Sequence, residues 1–214
     1  MSLATLLVLA DGRLPAGGHA HSGGLEAAVA AGRVRDVGDL GGFLRGRLHT
    51  TGLVSAAFAA GACARTGDFR DLDRGLDART PSPALRRASR AQGRALLRAG
   101  RAMWSLPELG REPHHPVALG ALAAAAGLGP REAAVAAAHG TVSGPAGAAV
   151  RLLGLDPYAV HALLARLAPE IDRIAADAAA RTDDPVDDLP AAGAPLLDLG
   201  AELHATWEVR LFAS

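Results

Sequence analysis

Alanine, leucine and arginine recur through this chain at three- and four-residue spacings, while β-branched and aromatic residues are scarce. Only two tryptophans, one tyrosine and four phenylalanines occur in 214 residues. That pattern favours helix over strand almost everywhere. The expected fold is therefore all-α, a single compact helical domain of about eight to ten helices with a C-terminal tail.

Capping residues place the helix starts. Ser2 opens a helix that runs to about Ala10, and Ser22 precedes a second one that stops by Gly32. Asp36 or Asp39 begins a long helix with Leu40, Phe43, Leu44, Leu48 and Phe58 on its inner face, limited by Gly61 and Thr66-Gly67. Phe69, Leu72 and Leu76 line an amphipathic surface helix between Asp68 and Arg79. Ser82, with Pro83 at the first helical position, starts a strongly basic helix ending near Trp104. Short alanine-rich helices are expected over Val117–Ala126, Pro130–His139 and Gly144–Leu153. Asp156-Pro157 then opens the longest regular helix, with Val160, Leu164, Leu167, Ile171 and Ile174 along one side.

Between Thr182 and Pro195 stand Asp183, Asp184, Asp187 and Asp188 with three prolines, a composition that resists folding alone. The chain accordingly divides into a helical body, residues 1–181, an acidic Pro-rich linker, 182–195, and an apolar, helix-compatible tail, 196–214.

Half of the residues are apolar, enough for a core that buries roughly 70% of the unfolded surface without disulfide or metal. The apolar runs are diluted by alanine and fall short of the roughly 20 residues that span a bilayer. With no secretory leader pattern, a soluble cytoplasmic protein is expected. The lone Cys63 reads as a buried structural thiol. The 22 basic residues are all arginine and are matched by 22 acids, so no net field favours nucleic acid or an anionic membrane.

The stretch Leu14-Pro15-Ala16-Gly17-Gly18-His19-Ala20-His21-Ser22-Gly23-Gly24-Leu25-Glu26 is the chemically distinctive one. Its imidazoles can ligate metal, titrate near neutrality or bond the loop. His19 and His21, with His114 and His115, are the metal candidates, but each pair supplies two ligands where a structural site uses four. No strand precedes the glycines and no P-loop lysine follows them. Ser22 beside His21 lacks an orienting carboxylate other than Glu26, and no oxyanion site accompanies it, which argues against a small hydrolase. The chain is read as no enzyme.

The chain resembles the UreF family of urease accessory proteins. The likeness rests on Leu6-Leu7-Val8-Leu9-Ala10-Asp11, the glycine loop through Leu25-Glu26, Ala91-Gln92-Gly93-Arg94-Ala95-Leu96-Leu97 and His115-Pro116-Val117-Ala118-Leu119-Gly120. It continues in Ala148-Ala149-Val150-Arg151-Leu152 and the terminal Arg210-Leu211-Phe212-Ala213-Ser214. His19 stands where that family usually has an aromatic, Gly154 replaces a proline, and Ala205 sits where an acid commonly follows the tail histidine.

The resemblance implies a homodimeric urease maturation chaperone that binds UreD (also called UreH) and recruits the nickel-carrying GTPase UreG to the urease apoprotein. Nickel would be handled by the assembled complex, with no cofactor held tightly by this chain. The alternative is a metallochaperone that itself stores or passes nickel through its histidines. The residues expected to meet partners are Pro15, Gly17, Gly18, His21, Ser22, Gly24 and Glu26 in the loop. In the tail they are Leu196, Leu199, His204, Arg210, Leu211, Phe212 and Ser214, with Leu197, Leu203 and Trp207 adding apolar area.

Overall fold

The computed structural model describes residues 2–65 and 67–214, and among these all regular structure is helical. Helix α1 spans Leu3–Ala10, α2 Leu25–Ala30, α3 Val37–Arg47 and α4 Leu53–Ala64. They are followed by α5 Arg70–Ala78, α6 Pro83–Arg101, α7 His115–Ala125, α8 Pro130–Leu153, α9 Pro157–Ala179 and α10 Pro195–Ala205. Four of the predicted caps form. The Ser2 hydroxyl accepts from the Thr5 amide, Asp36 from Asp39, Ser82 from Leu85, and Asp156 from Tyr158 and Ala159.

Helix α4 is the centre of the bundle and packs against α7, α8 and α9. Leu40, Leu44, Leu48, Phe58 and Leu72 are fully buried in the core around it. Close approach depends on missing side chains. A Cβ on Gly120 of α7 would overlap the Ala59 carbonyl oxygen of α4, and one on Gly93 of α6 would overlap the Pro113 carbonyl.

The single long helix expected from Asp36 is resolved into α3 and α4 by one wide π-helical turn over Leu48–Gly52. Thr66 lies outside the described residues, and α4 ends at Ala64. Helix α2 starts two residues later than Ser22 implied, with Gly24 at the cap position. The Ser22 hydroxyl still accepts from the Glu26 amide at 3.2 Å.

The larger correction is α8. Pro130–His139 and Gly144–Leu153 are one continuous 24-residue helix, although Gly140 lies between them and Gly144 and Pro145 open the second. A proline inside a helix deprives the carbonyl four residues earlier of its donor. Here that carbonyl belongs to Thr141, and the Arg47 guanidinium of α3 donates to it at 3.1 Å. The orphaned acceptor is satisfied from outside the helix, so no break is needed.

The acidic stretch 182–195 lies along α5. Arg79 donates to the carbonyls of Val186, Leu189 and Pro190 at 2.8 to 2.9 Å while stacking over the Phe58 ring, and Leu189 is buried. Cys63 is buried, bonds the Leu128 carbonyl, and has its thiol pushed up to about 11 by burial and then by Glu132. No helix among the described residues is long and apolar enough to cross a membrane.

Two glycines separate the packing argument from helix propensity. Gly120→Ala should lower stability by about 1–3 kcal/mol through overpacking against α4. At Gly140, exposed in α8 with open space around it, alanine should raise stability by about 0.5–1 kcal/mol. Urea unfolding midpoints of both variants check this, and equal effects would contradict it.

Candidate functional site

The glycine loop and the end of the chain, read from sequence as two separate surfaces, form one joint. Its centre is Glu26, in the first turn of α2 and buried. One carboxylate oxygen accepts the Leu211 amide at 2.9 Å. The other accepts the Phe212 amide at 3.1 Å and the His204 Nε2 at 2.8 Å. His204 is itself buried on α10 and lies 4.8 Å, centroid to centroid, from Trp207. Burial pushes the Glu26 carboxyl up, but the Leu211 amide, the His204 imidazole and the Phe212 amide together hold it below its ordinary value.

The last residues close the contact. The Ser22 amide and hydroxyl both donate to the Ser214 main-chain oxygen, at 2.6 and 2.9 Å, and His21 Nδ1 lies 2.7 Å from the Ser214 hydroxyl. The Ala213 amide donates to the Ala20 carbonyl at 2.7 Å. Phe212 is buried beneath the Arg151 guanidinium, 4.4 Å from its ring centroid, and Arg151 also donates to the His19 carbonyl. On the loop's inner side, Arg47 donates to the Gly23 carbonyl at 2.5 Å.

Gly23 and Gly24 adopt φ of +63° and +86°, a region that strains any residue with a Cβ. A Cβ on Gly23 would also press on Pro145 and the Arg47 guanidinium, and one on Gly24 on Leu197. Gly18 carries no such demand and faces open space.

Among the predicted partner residues Gly17 and Gly24 are half-buried loop positions at positive φ, and the others fall into two groups. His21, Ser22, Glu26, His204, Phe212 and Ser214 are spent on the internal joint. Pro15, Gly18, Leu196, Leu199, Arg210 and Leu211 are exposed on its outside. Within the chain the tail is held by Glu26 and Arg151. Sequence reading missed Arg47 and Arg151 because they are two of 22 arginines. The one available signal was Pro145, which announces a carbonyl in need of a donor.

A groove of about 940 Å³ runs beneath the loop, with His21, Gln92, His115 and His139 among its lining residues. Burial holds His21 and His139 below the ordinary imidazole value, with the charge of His19 adding to the effect at His21. His115 is pushed down to about 4 by burial and then by His21. Near pH 7 these imidazoles are mainly neutral. The four candidate metal ligands do not converge. His19 is exposed, and His114 is buried with Nδ1 2.9 Å from Ser89 and Nε2 2.9 Å from Asp77.

Among the described residues the one group with three suitable ligand atoms close together is Asp73, Asp77 and His114. Arg90 already bridges its two carboxylates, at 2.8 and 2.7 Å. A guanidinium thus supplies the positive charge there, and the cluster ties α5, α6 and the start of α7 together.

Comparison with known proteins covers both halves of the joint. A family model described as UreF matches residues 34–168. A protein named urease accessory protein UreF from a Mycobacterium species (strain JLS) is 49% identical over 216 residues, covering 100% of this chain and 99% of the relative. Proteins with the same name from Mycolicibacterium vanbaalenii and Mycobacterium tuberculosis (strain H37Rv) are 46% and 44% identical, each across 100% of this chain and 99% of the relative. The loop and the tail, outside the family model's match, lie inside these full-length alignments.

Glu26→Ala leaves His204 and two tail amides without their acceptor and should cost about 1–3 kcal/mol in urea unfolding at pH 7. Because folding lowers the Glu26 pKa, its contribution is complete above the ordinary value of 4.5 and is lost as pH falls from there through the lower folded value. The stability gap between the wild-type chain and Glu26→Gln should narrow over that range. A gap independent of pH would contradict the assignment.

Proposed function

Because the chain belongs to the UreF family of urease accessory proteins, we propose that it is a non-enzymatic maturation chaperone that binds UreD through α10 and the tail. On this reading the pair, built on a cytoplasmic homodimer, recruits the GTPase UreG to the urease apoprotein. Nickel is handled by the assembled complex, and this chain holds no cofactor tightly.

The observation that carries the reading is the orientation of α10. This helix turns Gly200, Ala201 and His204 inward and leaves Leu196, Leu199 and Leu203 outward at 62%, 68% and 59% exposure. Leu211 and Val209 beyond it are exposed as well. An amphipathic helix in a finished surface does the reverse. Burying a leucine side chain is worth about 1.5–3 kcal/mol, so three on one stripe supply a substantial share of a binding energy once a partner covers them.

The joint at Glu26 supports a regulatory role for the loop. Glu26 starts the helix that follows the loop and also holds the tail, so a partner that repositions the tail changes the partners available to that carboxylate. Binding at the outer face of α10 and the shape of Pro15, Gly17 and Gly18 are then linked equilibria, and the linkage is reciprocal. The exposed loop supplies the face offered to the GTPase.

The triple variant Leu196→Asp, Leu199→Asp, Leu203→Asp should fail to copurify with UreD while keeping the wild-type helical circular dichroism, because all three side chains point away from the body. Copurification at wild-type yield would overturn the proposal.

A further inference from the structure

The basic helix α6 divides its arginines between two tasks. Arg90 turns inward to Asp73, Asp77 and the Glu112 carbonyl, and Arg86 donates to the Thr80 carbonyl. Arg87, Arg94, Arg98 and Arg101 are exposed. Their spacings of seven, four and three residues put them on one face, about 21 Å from end to end at 1.5 Å per residue.

The 19 residues of α6 contain no acid. Among the described residues Arg94 pairs with Glu112 at 2.8 Å, both partly exposed, whereas Arg87, Arg98 and Arg101 have no carboxylate within 4.0 Å. A chain of zero net charge therefore carries a cationic ridge that is only partly compensated: Glu112 meets Arg94, Glu202 lies near Arg87, and Arg98 and Arg101 have no acidic partner among the described residues.

The ridge begins where α10 is seated. Glu202 of α10 accepts from the Ser82 hydroxyl at 2.5 Å and from the Ala84 amide at 2.8 Å, and so caps the start of α6. Arg87 and Arg86 lie close enough to act on the Glu202 carboxylate by charge. One continuous assembly of α10 and α6 thus presents an outward leucine stripe and an outward arginine face. Apolar contact with a charged margin is the usual anatomy of a protein interface, and arginine is enriched there.

We propose that the arginine face of α6 is the electrostatic half of the docking surface whose apolar half is α10, and that the protein covering α10 presents carboxylates to Arg87, Arg94, Arg98 and Arg101. The inference rests on the partner-binding reading of α10. It adds the chemistry of the partner: an apolar groove flanked by acidic residues. Charges of this kind steer encounter and act mainly on the association rate, which salt screens.

The test follows association of the full-length chain with immobilised UreD at about 50 and 500 mM salt. Wild-type association should slow by roughly tenfold or more between the two conditions. The variant Arg94→Glu, Arg98→Glu, Arg101→Glu should slow association by a similar factor at low salt and lose most of the salt dependence, and Arg→Gln at the same positions should fall between. Wild-type rates and salt slope in both arginine variants would overturn the inference.

The leucine variants of α10 keep the two readings separate. If they bind like the wild type, the α10 reading fails. If they lose binding while the arginine variants behave as wild type, only the acidic-partner inference fails. Helical circular dichroism confirms that the exposed substitutions leave the fold intact.

Discussion

A carboxylate removed from water must be met by donors, and the arrangement of the loop and tail follows from that requirement at Glu26. Its position in the first turn of α2 is favourable for a negative charge, since the helix N-terminus carries unsatisfied amides. Yet the side chain does not cap its own helix. It accepts from Leu211, Phe212 and His204, which lie 178 to 186 residues further along the chain. The Ser22 hydroxyl reaches the Glu26 amide instead, and the same hydroxyl binds the Ser214 oxygen. Loop, α2, α10 and the final residues are consequently one mechanical unit.

The same economy of donors accounts for the other long-range features. Pro145 removes a donor inside α8, and Arg47 replaces it while also holding the Gly23 carbonyl of the loop. The prolines and aspartates of 182–195 leave carbonyls without helical partners, and Arg79 gathers several of them against α5. Arg151 fixes the His19 carbonyl and covers Phe212. Arginine serves here as a multidentate donor to backbone, a role its planar fork suits better than the ammonium of lysine.

These donors also mark where sequence reading works and where it stops. Helix starts written in local chemistry were legible: Ser82 before Pro83 and Asp156 before Pro157 place α6 and α9 to the residue. Continuity through Pro145 was not, because the compensating group lies 94 residues away. The loop and the tail were each legible as unusual segments. Their contact was not, since a glutamate in a first helical turn reads as ordinary dipole chemistry and nothing in its neighbourhood names a distant partner. The tail was legible as apolar and helix-compatible, whereas the outward exposure of its leucines depends on His204 taking the inner face to reach Glu26.

The end of the chain is part of the folded body, with α10 held by its polar side and its leucines turned outward. Native-state hydrogen exchange on the isolated chain tests this most directly. The amides of Leu211 and Phe212, which donate to buried Glu26, should be protected to about the same degree as those of α2, and the Val209 and Arg210 amides should exchange faster. Exchange of Leu211 and Phe212 at the rate of an unstructured peptide would contradict the joint and the linkage built on it.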